Sequence, residues 1–160
     1  MTSRPEKGDT APSVVLPLAP GGEIDLARPS GKAHIVYFYP KDSTPGCTTE
    51  ARDFSALKAA FADLDVAIIG VSKDSLTKHG NFIAKQEINF PLASDQDAEA
   101  CESFGVWVEK NMYGRKFMGI ERTTFLILAD GTIAEIWRKV KVKGHAEAVL
   151  AQTREIISNK

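Results

Sequence analysis

The spacing of apolar residues changes several times along this chain, and each change marks an element. Residues 34–39, His34-Ile35-Val36-Tyr37-Phe38-Tyr39, are β-branched and aromatic with little alternation, the pattern of a strand buried on both faces. From Thr48 the period becomes helical. Ala51, Phe54, Leu57, Phe61 and Leu64 recur at three- and four-residue steps, and Cys47 lies on the same face four residues before Ala51. Residues 66–72 read as a second buried strand, and 75–86 as a helix opened by Asp74 or Ser75. Residues 88–93 are a short strand or loop, and 95–104 a helix stopped by Gly105. A β-hairpin follows over 123–128 and 132–140, around Ala129-Asp130-Gly131, and 144–158 is a closing helix. Ahead of all these, residues 8–20 with Val14-Val15-Leu16 suggest an edge strand or extended arm. Gly21-Gly22 signals a hairpin and Gly31-Lys32 a turn. The order predicts an α/β fold with a mixed central sheet and helices on both faces. With no repeat or composition shift, residues 1–160 are expected to form one domain.

Composition narrows the function classes. At 17.4 kDa, with 43% apolar and 26% charged residues, the chain has the make-up of a globular protein with a full core. A net charge of −1 gives no footprint for nucleic acid or an anionic membrane. Arg138, Lys139, Lys141 and Lys143 alternate with Val140 and Val142, as on a solvated strand face. No apolar run approaches the roughly 18 residues of a membrane span. Residues 1–7 hold no apolar stretch of the secretory kind, and two cysteines suit a reducing compartment, so a cytoplasmic location is expected.

The chemistry concentrates at Cys47. It follows Pro45-Gly46 and opens a helix, so its sulfur faces unpaired backbone N–H groups and the positive end of the dipole. That setting favours the thiolate, which is the reactive form. Bringing a thiol's pKa from about 8.5 to about 6 is worth only about 2 kcal/mol near neutrality. Further catalysis needs donors aimed at charge that develops in the reaction. A hydroxyl, a fixed cation and backbone N–H groups are the required kinds.

The string from Tyr37 to Glu50, with Pro40-x-x-x-Thr44-x-x-Cys47 inside it, resembles the active-site loop of peroxiredoxins. The match to the bacterioferritin comigratory protein or peroxiredoxin Q subgroup runs from about Gly8 to Ile156. The resemblance implies a thioredoxin-like fold and a thiol-dependent peroxidase acting on hydrogen peroxide and organic hydroperoxides without a cofactor or metal. It implies Cys47 as nucleophile, Thr44 and Pro40 beside it, and Arg122, just before the strand at 123–128, as the cation. Gly46 would let the backbone approach the substrate, and Glu50 would orient the arginine. Thioredoxin, glutaredoxin or a small thiol would be the reductant, and the protein a monomer or weak homodimer.

This chain departs from many of those relatives. Where they carry a resolving cysteine five residues after the first, it has Arg52, and its stretch 79–86 holds no cysteine either. Cys101, three residues from both Ala98 and Phe104, reads as buried and inert, with a resolving role as the rival. The expected cycle therefore uses one cysteine and an external thiol. A thiol–disulfide oxidoreductase is the alternative enzyme, but Glu50 stands where Cys-x-x-Cys would need its second sulfur. A peroxide sensor or holdase-like binding module is the non-catalytic alternative. His34, His79 and His145 are scattered, and neither they nor Asp42, Asp95 and Asp97 show metal-ligand spacing.

Overall fold

A computed structural model describes residues 4–159. The strands β1 (Val15–Ala19), β2 (Glu23–Asp25), β3 (Ala33–Phe38), β4 (Val66–Ser72), β5 (Leu92–Ser94), β8 (Thr123–Leu128) and β9 (Ile133–Trp137) form one sheet. Its order is β2-β1-β5-β4-β3-β8-β9. β3, β4 and β5 are parallel, while β1, β8 and β9 join antiparallel to their neighbours. The helices are α1 (Pro45–Asp63), α2 (Leu76–Gln86), α3 (Glu99–Ser103) and α4 (His145–Ser158). No described helix is long and apolar enough to cross a membrane.

β3 lies at the centre and is buried on both faces, as its unbroken apolar run predicts. Its alternate side chains therefore feed two separate cores. Ile35, Tyr37 and Tyr39 join Cys47, Ala51 and Phe54 of α1, Phe82 of α2 and Val149 of α4. Val36 and Phe38 point the other way, into a core with Cys101 and Phe104 from α3 and its exit. The two cysteines thus belong to opposite sides of the sheet.

The structure moves several boundaries. β5 begins at Leu92, and Ser75 caps α2 by accepting from the Lys78 N–H at 3.2 Å. The helix expected from residue 95 starts only at Glu99. Asp95 accepts from the N–H groups of Ala100 (3.0 Å) and Cys101 (2.8 Å), and Ala98 turns left-handed at φ 60°. The aspartate so competes with helical pairing over its own segment. β9 ends at Trp137, and the solvated strand expected at 138–143 does not form. Arg138 is half-buried instead, its guanidinium donating to the Pro5 carbonyl at 2.7 Å and lying over the Phe125 ring.

One hairpin escaped the periodicity altogether. β6 (Trp107–Met112) and β7 (Arg115–Ile120) pair outside the main sheet, through a turn at Tyr113 (φ 54°) and Gly114 (φ 79°). Its strands bear polar residues on both faces, so alternation is weak.

Phe54 forms the floor of the first core, its ring stacked on Tyr37 at 4.8 Å and edge-on to His145 at 6.0 Å. Phe54→Ala is expected to lower the unfolding free energy by about 3–5 kcal/mol in denaturant titration. Lys58→Ala, on the exposed side of α1, should change it by no more than about 0.5 kcal/mol.

Candidate active site

The site is built where β3 hands over to α1. Pro40 stands exposed at the start of the loop, and Ser43 takes the left-handed conformation at φ 65°. Thr44 is the N-cap of α1 in extended geometry, with Pro45 at the first position, where its missing N–H costs no hydrogen bond. Gly46 and Cys47 follow in the first turn, whose N–H groups have no helical acceptor. Cys47 is 1% exposed.

Arg122 is the charged side chain that hydrogen-bonds that sulfur. Its Nη2 donates to Cys47 Sγ at 3.3 Å, and its Nη1 to Glu50 Oε1 at 2.5 Å. Glu50 lies on the same face of α1, one turn after Cys47, and is itself 1% exposed. The planar guanidinium so spans a carboxylate and a sulfur with different nitrogens. A side chain at Gly46 would put its Cβ 3.3 Å from Arg122 Nη2, so glycine there leaves space for the arginine. The Val140 N–H donates to the Arg122 carbonyl at 3.0 Å, fixing the backbone that presents the side chain.

The expected residues are therefore not all engaged alike. Cys47, Glu50, Arg122 and Gly46 come together. The Thr44 hydroxyl donates to the Lys41 carbonyl at 2.8 Å, closing the turn, rather than to the sulfur. Cys101 sits across the sheet, where burial first and then the Asp95 carboxylate push its thiol far up. His34 bonds the Leu26 carbonyl at 2.8 Å and His145 the Thr124 hydroxyl at 2.8 Å, both buried.

Two further groups bear on the electrostatics. Burial raises the Glu50 carboxyl to about 7 against the pull of Arg122. Lys110 of β6 is lowered, chiefly by burial and then by Arg122, with Cys47 and Glu121 opposing. It therefore lies within electrostatic reach of the sulfur. It belongs to the hairpin the sequence pattern did not reveal, and Gly119, diagonal to it on β7, offers room for its stem, with Lys110 Cδ 3.2 Å from where a Cβ would stand.

A buried first-turn cysteine held by an arginine that a carboxylate orients is an arrangement for stabilising a thiolate. Residues 7–136 match the AhpC/TSA family. The chain belongs to that family. It is 53% identical to peroxiredoxin Bcp of Xanthomonas campestris over 136 residues, 85% of each chain. It is 47% identical to peroxiredoxin Bcp of Bacillus subtilis over 155 residues, 97% of this chain and 98% of that one. Among solved structures it superposes on Xylella fastidiosa PrxQ with a TM-score of 0.90 at 42% identity, covering 96% and 98% of the two chains. Xanthomonas campestris peroxiredoxin Q gives 0.85 at 50% identity, covering 90% and 91%. The fold of this AhpC/TSA protein is thioredoxin-like, and its activity is that of a peroxiredoxin, a thiol-dependent peroxidase.

The raised Glu50 carboxyl gives the peroxiredoxin a pH-dependent signature. Between about 4, the ordinary range of an unfolded glutamate, and about 7, the folded chain holds the Glu50 proton and the unfolded chain has released it. Its contribution is complete below that window and is lost as pH rises through it. Urea unfolding at pH 4.5 and pH 8 should show Glu50→Gln gaining stability relative to wild type at the higher pH. A difference that is flat, or that moves the other way, would mean Glu50 is ionised throughout.

Proposed function

We propose that the chain works as a single thioredoxin-like domain in which Cys47 is the peroxide-attacking nucleophile and Arg122 its activating cation. The observation that carries this is the 3.3 Å contact from Arg122 Nη2 to the sulfur, with Glu50 on the guanidinium's other arm. The Cys47 thiolate attacks the terminal peroxide oxygen, a sulfur–oxygen bond forms as the O–O bond breaks, and the leaving alkoxide or hydroxide takes a proton to become alcohol or water. Arg122 and the N–H groups of the first turn of α1 stabilise charge spread over sulfur and oxygens at that moment. Thr44 and Pro40 shape the loop above, and Gly46 keeps it open to Arg122.

Hydrogen peroxide and organic hydroperoxides are the proposed substrates. The alkyl peroxide reduction activity of the Xanthomonas campestris bacterioferritin comigratory protein, 49% identical in a trapped intermediate/ligand complex, supports the second class. The sulfenic acid is then attacked by an external thiol, with loss of water, and a second thiol frees Cys47 as the reductant becomes a disulfide. A thioredoxin, a glutaredoxin or a small thiol fills that role in a cytoplasmic monomer or weak homodimer. Two features favour this one-cysteine cycle over a Cys47–Cys101 bond. The sheet separates the two sulfurs, and Arg52 and α2 supply no nearer thiol. A disulfide needs Cα atoms within about 7 Å.

Cys47→Ser should abolish peroxide consumption with the fold kept, and Cys101→Ser should retain full turnover. After stoichiometric peroxide, mass spectrometry under non-reducing conditions should find sulfenic acid at Cys47 and a free Cys101. A mapped Cys47–Cys101 bond, with turnover lost in Cys101→Ser, would replace this cycle by a two-cysteine one.

Arg122→Ala should slow both peroxide reduction and alkylation of Cys47 at neutral pH. The expected loss in the peroxide step is about 2–4 kcal/mol of barrier. Unchanged rates in both assays would move the role to another cation, with Lys110 first in line.

A further inference from the structure

The β6–β7 hairpin carries most of the large apolar side chains that the described residues leave in water. Val15 and Leu76 lie elsewhere, while Met112, Tyr113, Phe117 and Met118 all belong to the hairpin. Exposed apolar side chains gathered in one place mark a contact surface, whereas scattered ones do not.

The pairing register sorts the hairpin into two unlike faces. Residues directly opposite share a face, and successive residues along a strand switch faces. Trp107, Glu109 and Asn111 thus stand with Lys116, Met118 and Ile120. That face is already engaged, with Ile120 buried in the second core, Trp107 packed against it and Glu109 Oε1 3.9 Å from Lys116 Nζ. The other face holds Val108, Lys110 and Met112 with Arg115, Phe117 and Gly119. A Cβ on Gly119 would meet the Lys110 stem at 3.2 Å and the Phe117 ring at 3.6 Å, so these side chains lie together. Lys110 and Arg115 are cations set among apolar groups, and this face has no carboxylate to offset them.

The mixed face adjoins the site. β7 ends at Ile120, and the chain passes through Glu121 straight to Arg122. The Glu121 N–H closes the root of the hairpin on the Val106 carbonyl at 2.8 Å. The charges of Arg122 and Cys47 both act on the Lys110 ammonium. Hydrogen peroxide is too small to use such a surface, but a thiol carried on a protein is not. Carboxylates would answer Lys110 and Arg115, and apolar side chains would cover Met112 and Phe117. A second copy of this face would set the same cations against each other, which opposes that pairing.

We propose that the face formed by Val108, Lys110, Met112, Arg115 and Phe117 docks the protein that delivers the reducing thiol, an acidic partner with apolar side chains beside its cysteine. The proposal rests on the one-cysteine cycle closed by an external thiol. The contact is a transient one, in the class below about 1,200 Å² that redox encounters occupy. Its Met, Phe and Arg side chains are types that interfaces favour. Its cations speed encounter, so their effect weakens with salt.

The test follows reduction of the Cys47 sulfenic acid, preformed with stoichiometric hydrogen peroxide, by stopped flow. The probes are a cysteine peptide flanked by glutamates and leucines, the same peptide with lysines for the glutamates, and dithiothreitol. The acidic peptide should react about tenfold faster than the basic one at low ionic strength, and salt should close the gap. Arg115→Glu should remove most of the gap, and Phe117→Ser should slow both peptides relative to dithiothreitol. Lys116→Glu makes a like charge change on the other face and should leave the gap in place. Equal rates for the two peptides, or equal effects of Arg115→Glu and Lys116→Glu, overturn the dock. A dimer in sedimentation velocity that Phe117→Ser dissociates assigns the face to a second copy. Cosedimentation with phosphatidylglycerol vesicles, lost in that variant, assigns it to a lipid surface. Either result also overturns the proposal. A Cys47–Cys101 disulfide found by mass before any thiol is added overturns the one-cysteine cycle and the dock with it. Where the sulfenic acid forms and dithiothreitol reduces it but the peptides are not distinguished, only the dock is lost.

Discussion

The guanidinium of Arg122 is the interaction on which the site depends, because among the described residues it alone bonds both the Cys47 sulfur and the buried Glu50 carboxyl. Glu50 cannot leave water as a carboxylate without a cation, since an unpaired buried charge costs several kcal/mol. The arginine answers that need with Nη1 and leaves Nη2 for the sulfur. Two helix positions one turn apart, Cys47 and Glu50, are thus bridged by the residue just ahead of β8. The strand matters as much as the arginine. β8 pairs with β3 along its whole length, from Ala33 opposite Leu128 to Phe38 opposite Thr123. The residue before β8 is so delivered to the end of β3, where α1 begins.

The central sheet then acts as a partition. Side chains of β3 alternate between a core that holds Cys47 and one that holds Cys101, so two thiols of one chain experience unlike surroundings. Cys47 meets N–H groups and a cation. Cys101 meets phenylalanines and the Asp95 carboxylate, which disfavour its thiolate. Reactivity is assigned by the face of the sheet as much as by local sequence.

Much of this was legible in the sequence, for identifiable reasons. The 34–39 run, the helical spacing after Cys47 and the turn residues around 129–131 each express one dominant pattern, and β3, α1 and the β8–β9 hairpin follow them. Arg122 could be named because the peroxiredoxin resemblance implies an arginine just before a strand that is itself clear in the sequence. What escaped depends on partners distant in the chain. α3 is shortened by a side chain, Asp95, that captures its first N–H groups. Arg138 is drawn from the surface by Pro5 and Phe125. The β6–β7 hairpin lacks an apolar face, so its only local signal was the Tyr113-Gly114 turn, and with it went Lys110. Asp42 and His79 are 37 residues apart and meet only because α2 packs beside the loop.

The absence of a resolving cysteine near Cys47 bears on how far the site must move. In a helix, residues five apart point about 140° away from each other, so joining them would require the first turns of α1 to unwind. Here the fifth residue is the exposed Arg52, and nothing demands that rearrangement. α1 instead stays anchored through Ala51, Phe54 and Phe61 in the first core. Breaking those contacts would expose a large apolar area at roughly 25 cal/mol per Å². Lifting the loop ahead of the helix exposes far less, because Pro40, Lys41 and Ser43 already face water and only Asp42 is buried. In the one-cysteine cycle proposed above, a sulfenic acid formed against Arg122 meets an outside thiol while the helix beneath it remains folded.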